Sequence, residues 1–384
     1  MLTNFFFFSS LNAYVLLPLY VQRLGGSEAA VGFVQGMYSA AGILCQPLIG
    51  HWIDRLGRRF FMVLGVTVLM LTCAAFVVSS SIPVLALLRA VQGIGFSAFF
   101  VANYLHVVEI VPLERRGWAL GIFGVSGMLS TSLAPLAGEL LIRRFGFAWF
   151  FAGSAVFAAA SLPLVWGVRD TPRPAAPATG LLDALQQGLA ELLRLHMALM
   201  FFFGLGTGTV FTFMPTFAEF LGMRGLGLFY TAYAGSAMLV RVMAGDLIDT
   251  RGRRAVIIPS MLLQAAATTI LALVAIFAGP GSSAPALPFI FFAGLLAGGG
   301  HGFLYPALSA LLMDVTAERR RGSAVGTFSA VFLVGNALGS MMFGYVAHAL
   351  GYPVMWSVLT MLLAVGFVLS LRLRIGYMSG GPAS

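Results

Sequence analysis

Two short stretches of this chain place a carboxylate, a turn-forming glycine and paired guanidinium groups at the end of an apolar run. One is Gly50-x-x-x-Asp54-Arg55-x-Gly57-Arg58-Arg59; the other is Gly245-x-x-x-Asp249-x-x-Gly252-Arg253-Arg254. The chemistry available to such a set is not covalent. An acid at a helix end can pair with arginines across a tight turn and can cap a neighbouring helix N-terminus, whose partial positive charge favours it. The plainer alternative is a topology signal with surface ion pairs, each worth at most about 1 kcal/mol. Arginine alone would serve that purpose, yet the acid and both glycines recur in the second stretch.

Inside the apolar runs ionisable residues are few, and each is expensive there, so each is a candidate for a wet cavity. Arg89 sits about two turns into its run with Gln92 one turn further on. It is a candidate for binding an anion or for tuning a nearby acid; bonding to backbone carbonyls is the structural alternative. Arg241 is read as lying near the inner end of its run, close to the second hairpin, with a structural role. His301 lies mid-run among glycines, with Tyr305 one turn on, and histidine is the side chain that titrates near neutral pH. Glu139 and Glu219 fall in last turns. Together with Arg89 and His301 they are the candidates for carrying or coupling a proton. No carboxylate occupies the centre of any run. That argues against a strongly cationic solute and leaves proton coupling open. Asn12, Tyr14, Gln35, Tyr38, Asn103, Tyr104, Tyr230, Tyr233 and Asn336 complete the candidate cavity lining, which suits an amphipathic neutral or anionic organic solute. Cys45 and Cys73 lack metal-ligand or redox spacing. The sequence has no nucleophile–base pair, metal-ligand cluster or GxxxxGK[ST] phosphate loop, so it offers no enzyme chemistry, ATP-driven transport or cofactor.

The elements that must position these residues follow from composition. Of 384 residues 59% are hydrophobic and 9% charged, against about 25% charged in a soluble domain. The apolar residues form blocks long enough to cross a bilayer. Twelve spans are expected at 2–21, 28–50, 59–79, 82–110, 116–142, 147–168, 196–221, 226–248, 254–278, 286–314, 321–348 and 353–373. All 22 basic residues are arginine. Sixteen of them fall in the connections after even-numbered spans and in the C-terminal tail; only Arg23, Arg143, Arg144 and Arg224 fall on the other side. The positive-inside rule then puts both termini in the cytoplasm. Arginine in such loops also accounts for the net charge of +9 without nucleic acid. The N-terminus lacks a basic n-region and a cleavage site, so it reads as a retained first helix. Segment 169–195 is Pro/Ala-rich and then amphipathic, an interfacial linker between residues 1–168 and 196–384. ERRGWALG at 114–121 and ERRRGSAVG at 318–326 add a second matching pair to the two hairpins. The chain is thus expected to be an all-α membrane protein with two related six-helix halves and a solute site at their interface.

On these residues the chain resembles the major facilitator superfamily over essentially its whole length. The hairpin at 50–59 matches the signature that family carries between its second and third helices, and the one at 245–254 is its echo. Arg89, Gln92, Gly93 and Gly95 resemble the fourth-helix motif of proton-linked members. Gly124, Gly127, Pro135 and Gly138 resemble the fifth-helix motif associated with antiporters, with Ala134 where a glycine is usual. The resemblance implies a cytoplasmic latch at the hairpins and alternating access about a central cavity in a bacterial-type inner membrane. It implies partners limited to a small-molecule substrate, lipid and candidate protons, and a monomer. The leading expectation is export of a small amphipathic organic solute by proton antiport. Import of an organic anion by symport, and a non-transporting sensor or assembly factor on the same scaffold, stay open.

Overall fold

The computed structural model describes residues 1–111, 116–168, 195–223, 225, 227–316 and 321–373. Gly50, Gly245 and the side chains of Asp54, Arg55, Asp249 and Glu109 lie outside the described residues, as does most of the linker. The described residues are helical almost throughout. Span 1 is not one rod. It is α1 (Leu2–Asn12), a 3-10 turn (Ala13–Leu16) and α2 (Leu17–Arg23). Pro18 opens α2, and because proline has no N–H to give to the preceding turn, the helix restarts there. There follow α3 (Glu28–Leu56), α4 (Arg58–Val78), α5 (Ile82–Ile110), α6 (Arg116–Phe145), α7 (Phe147–Trp166), α8 (Leu195–Phe220), α9 (Gly227–Arg251), α10 (Arg253–Phe277), α11 (Ser283–Val315) and α12 (Arg321–Ser370). Gly351 breaks α12 with a left-handed backbone at φ 79°, so α12 supplies two rods, and with span 1 taken as one the described residues form twelve. Nine stretches of described residues are long and apolar enough to cross a membrane, one of them a 44-residue run holding both rods of α12. Large apolar side chains such as Phe277, Val78 and Leu44 face outward, as lipid requires and water would penalise.

The duplication read from the hairpins persists in the backbone. Gly57 and Gly252, at matching positions, turn α3 into α4 and α9 into α10 with φ of 87° and 81°. Gly146 and Gly351 turn α6 into α7 and divide α12 with φ of 87° and 79°. An L-residue pays a steric cost in this region and glycine does not.

The same pairing governs helix packing. A methyl group on Gly93 of α5 would strike the Tyr38 carbonyl of α3, and one on Gly298 of α11 would strike the Tyr233 carbonyl of α9. Gly95 lies against the Gly65 backbone, and Gly300 against that of Ser260. The spacing that carries Arg58 onto Arg253 also carries Tyr38 onto Tyr233 and Gly65 onto Ser260. Each half therefore holds its central helices together by backbone approach at small residues, the usual solution where no hydrophobic effect separates helix from lipid.

Gly235 of α9 has open space around its Cα. We expect Gly93→Ala and Gly298→Ala to lower the melting temperature of the purified protein, since overpacking costs about 1–3 kcal/mol. Gly235→Ala should leave it unchanged or slightly higher, because alanine is the better helix former. Equal effects at all three positions would contradict the packing.

Candidate functional site

The two halves meet through α3 with α12, α6 with α9, and the end of span 1 with α8. The seam contacts at Gly32, Ser39, Glu28 and Glu139 lie away from the arginine hairpins, toward what we call the far face. Along the first seam, Gly32 abuts Ser340 and Gly344, and Gly36 abuts the Met341 side chain. Ser39 Oγ donates to Asn336 Oδ1 at 2.8 Å. Glu28 and His348 stand 3.6 Å apart at its end. Along the second seam, Gly227 fits against Leu136. There the Glu139 carboxylate accepts the backbone N–H of Gly225 at 3.1 Å and of Gly227 at 2.9 Å. It thus caps α9 from the opposite half, while Arg143 on its own helix pairs with it. Sequence spacing offers Glu139 as a proton carrier; its position makes it a clasp between halves.

Between the seams lie two cationic clusters. In the first half, Arg89 is 7% exposed. Its Nη1 donates to Gln92 Oε1 at 2.9 Å. Its guanidinium stands 4.5 Å from the ring centre of Tyr38 and 5.7 Å from that of Tyr14. Gln92 reaches Cys73 Sγ at 3.7 Å, which also meets Ser10 Oγ at 3.5 Å. Gln35 donates to the Tyr14 carbonyl at 3.0 Å. Two aromatic faces and an amide replace the water that a buried guanidinium loses; desolvated cation–π contacts are worth about 2 kcal/mol. Arg89 is thus enclosed within its own half.

The second cluster belongs to α9 and α11. Arg241 lies ~21 Å along α9 from its start and ~15 Å from its hairpin end at 1.5 Å per residue, on the hairpin side of the helix midpoint. A methyl on Gly124 of α6 would run into the Arg241 guanidinium, so this glycine of the fifth-helix motif lets the arginine lie against the other half's backbone. Tyr233, His301 and Tyr305 are within electrostatic reach of Arg241. The His301 ring is 4.8 Å from Phe203 and 5.5 Å from Tyr233. Arg241 Nε and His301 Nδ1 have no hydrogen-bond partner. No carboxylate pairs with Arg89 or Arg241 among the described residues.

Sequence reasoning passed over the phenylalanines. Phe96, Phe100 and Tyr104 form a half-buried row on α5 at four-residue spacing, with ring centres 5.2 and 6.4 Å apart. Phe96 also meets Tyr38 at 5.4 Å and Phe8 at 6.2 Å. The row leads from the Arg89 cluster to Tyr104, which is within electrostatic reach of Tyr305 across the interface. Its period was visible in the sequence, but the abundance of phenylalanine hid it.

Other candidates serve packing. Asn12 donates to Ser130 and Thr131 of α6 at 2.9 and 3.0 Å. Asn103 donates to Asn4 at 3.1 Å, and Asn4 to Ser126 at 2.6 Å. These amides tie α1 to α5 and α6. Tyr230 is fully buried against Phe211 and Phe229. Glu219 is exposed at the end of α8. Gly127 accepts the Ser130 and Thr131 hydroxyls through its carbonyl, and Gly138 fits against Leu16 and Phe150 with Pro135 inside the same helix. At the hairpins, Arg58 is buried and Arg59 exposed. Arg253 Nε donates to Asp314 Oδ2 at 3.1 Å, and Arg254 is half-buried.

The family model for the Major Facilitator Superfamily matches residues 1–283 and 197–377. The chain belongs to that superfamily. It is therefore a multi-pass membrane transporter, and not an enzyme. It is 23% identical over 385 residues to the staphylopine export protein of Staphylococcus aureus, covering 96% of this chain and 93% of that protein. It is 22% identical to multidrug resistance protein 2 of Bacillus subtilis, covering 92% and 89%. A solved structure of the human organic anion transporter MFSD10 superposes with TM-score 0.72 at 18% identity over 96% of this chain and 98% of that one. A point mutant of the nucleoside transporter NupG superposes with TM-score 0.79 at 14% identity over 96% and 97%. Those two likenesses speak to the fold.

A carboxylate at a partly buried helix N-terminus is worth about 1 kcal/mol. We expect Glu139→Gln to shift the equilibrium toward parting at the far face by roughly fivefold. With Cys45 and Cys73 replaced by serine, a cysteine at Ser340 should react faster with maleimide in the Glu139→Gln protein. An unchanged labelling rate would show that the clasp holds nothing shut.

Proposed function

We propose that this transporter is a secondary active exporter of a small amphipathic organic solute. Its arginine hairpins lie in the cytoplasm and its far face lies outside. The observation that carries the reading is the far-face seal: backbone contact at Gly32, hydrogen bonding at Ser39 and a carboxylate clasp at Glu139. A carrier sealed at that face is in the state from which an exporter loads its solute. Long relatives named for export and for multidrug resistance support the direction. The aromatic row on α5 supports an apolar component in the solute, because stacked rings bury apolar area without fixing one shape.

In this reading residues 1–168 and 196–384 rock about the clusters, joined by the linker at 169–195. The hairpin residues Asp54, Arg55, Arg58 and Arg59, with Asp249, Arg253 and Arg254, close the cytoplasmic side when the far face opens. Proton exchange supplies the drive. Glu139 is a carboxylate placed to link protonation to gating, since a neutral acid gives up its charge-assisted bonds to α9.

The test is solute profiling of cells that make the protein against cells that lack it. We expect at least one amphipathic solute to fall inside and rise in the medium, with the difference abolished by a protonophore. Accumulation inside the cells would reverse the direction, and a difference that survives the protonophore would remove the proton.

A further inference from the structure

We infer that Arg241, His301 and Tyr305 form an anion subsite, which binds the carboxylate of an aromatic organic acid while the α5 row receives its ring. The inference rests on the transport reading and narrows its substrate class.

A guanidinium stays charged in a protein, and a buried one needs an opposite charge or strong acceptors to offset its lost hydration. Arg89 has its substitutes in Gln92, Tyr38 and Tyr14. Arg241 has no such amide bond or ring-face contact among the described residues. Its Nε, like that of Arg89, has no partner, and no carboxylate pairs with it among the described residues. Its electrostatic neighbours are two tyrosines and a histidine whose Nδ1 is also without a partner. A guanidinium fork, a phenol and an imidazole can each donate to one anion, and the phenol is also within hydrogen-bonding reach of Ser329. None of them carries a negative charge, and a carboxylate supplies two oxygens in the geometry the fork prefers.

Position favours the same conclusion. Arg241 belongs to one half but lies on the Gly124 backbone of the other. A charge arriving there acts on a group that touches both halves, so occupancy bears directly on how they sit. Phe203 and Tyr233, the rings beside His301, are buried; the half-buried row across the interface, Phe96–Phe100–Tyr104, ends within electrostatic reach of Tyr305. A cationic solute would meet repulsion from both clusters, and an uncharged one would leave the Arg241 charge uncompensated.

The experiment compares three ligands of one shape: 1-naphthaleneacetate, its amide 1-naphthaleneacetamide, and 1-naphthylmethylammonium. Each is added at saturating concentration to protein purified in lipid-free detergent, which removes anionic headgroups as a source of the effect. A ligand that binds only the folded state raises Tm. The acid should raise it by at least about 2 °C, and the amide and the ammonium should not. Arg241→Gln should abolish the acid's effect. Arg241→Lys, which keeps the charge but loses the fork, should retain a smaller one. Anionic lipid restored at the same site should compete with the acid only if a headgroup is the true occupant, and such competition would overturn the solute assignment. Equal stabilisation by all three ligands, no stabilisation by the acid, or an undiminished effect in Arg241→Gln would each overturn the subsite. The comparison in unmutated protein stands even if a variant fails to fold. It is also independent of direction: acid-selective stabilisation without export would sink the export reading alone, and export of unstacked cations would sink the subsite alone.

Discussion

The structure depends on bare backbone meeting bare backbone where the two halves join. Inside a bilayer, apolar side chains gain little by leaving lipid for one another, so helices adhere through close approach and through polar bonds that lipid cannot satisfy. Gly32 against Ser340 and Gly344 supplies the first kind of contact. Ser39 with Asn336, and Glu139 with the start of α9, supply the second. Buried apolar side chains of both halves pack in one cluster around these contacts. The backbone contacts and polar bonds set the register in which the seam closes. Opening at one face of a rigid pair of bundles requires closing at the other.

Within each half the bonding is of another kind. The glycine-to-carbonyl contacts at Gly93 and Gly298 repeat across the duplication, and the asparagines of α1 and α5 add hydrogen bonds between helices. These keep each bundle rigid enough to move as a body. The cationic clusters then take their meaning from where they sit relative to the seams. Arg89 is walled into one half by tyrosines, whereas Arg241 lies across the join. Two arginines of similar sequence context thus occupy different physical roles, one internal to a bundle and one between bundles.

Much of the fold was legible in the sequence because its signals are local and redundant. Apolar blocks mark crossings, arginine marks one face, and Gly57 with Gly252 announce the same turn twice. The break in span 1 was announced only by Pro18, which membrane helices often tolerate. The site was less legible, because which way a side chain faces depends on packing between helices distant in sequence. Asn12 and Asn103 look like cavity groups by depth, yet they serve the α1 seams. Glu139 looks like a titrating rim acid, yet its partners are amides 86 and 88 residues away. The Phe96–Phe100–Tyr104 row was hidden among 34 phenylalanines, and only its half-buried, stacked arrangement sets it apart.

The account stands or falls on whether the far-face seam and the hairpin face move in opposition. Spin labels at Phe60→Cys and Ala255→Cys, matching exposed positions beside the two hairpins, report the separation there. Their distance distribution is measured in lipid nanodiscs, with cysteines at Ser39 and Asn336 either free or joined by a short cross-link before labelling. The expected result is a long and a short population when the seam is free, and the long one alone when it is joined. A distribution that the cross-link leaves unchanged would contradict the coupling of the two faces.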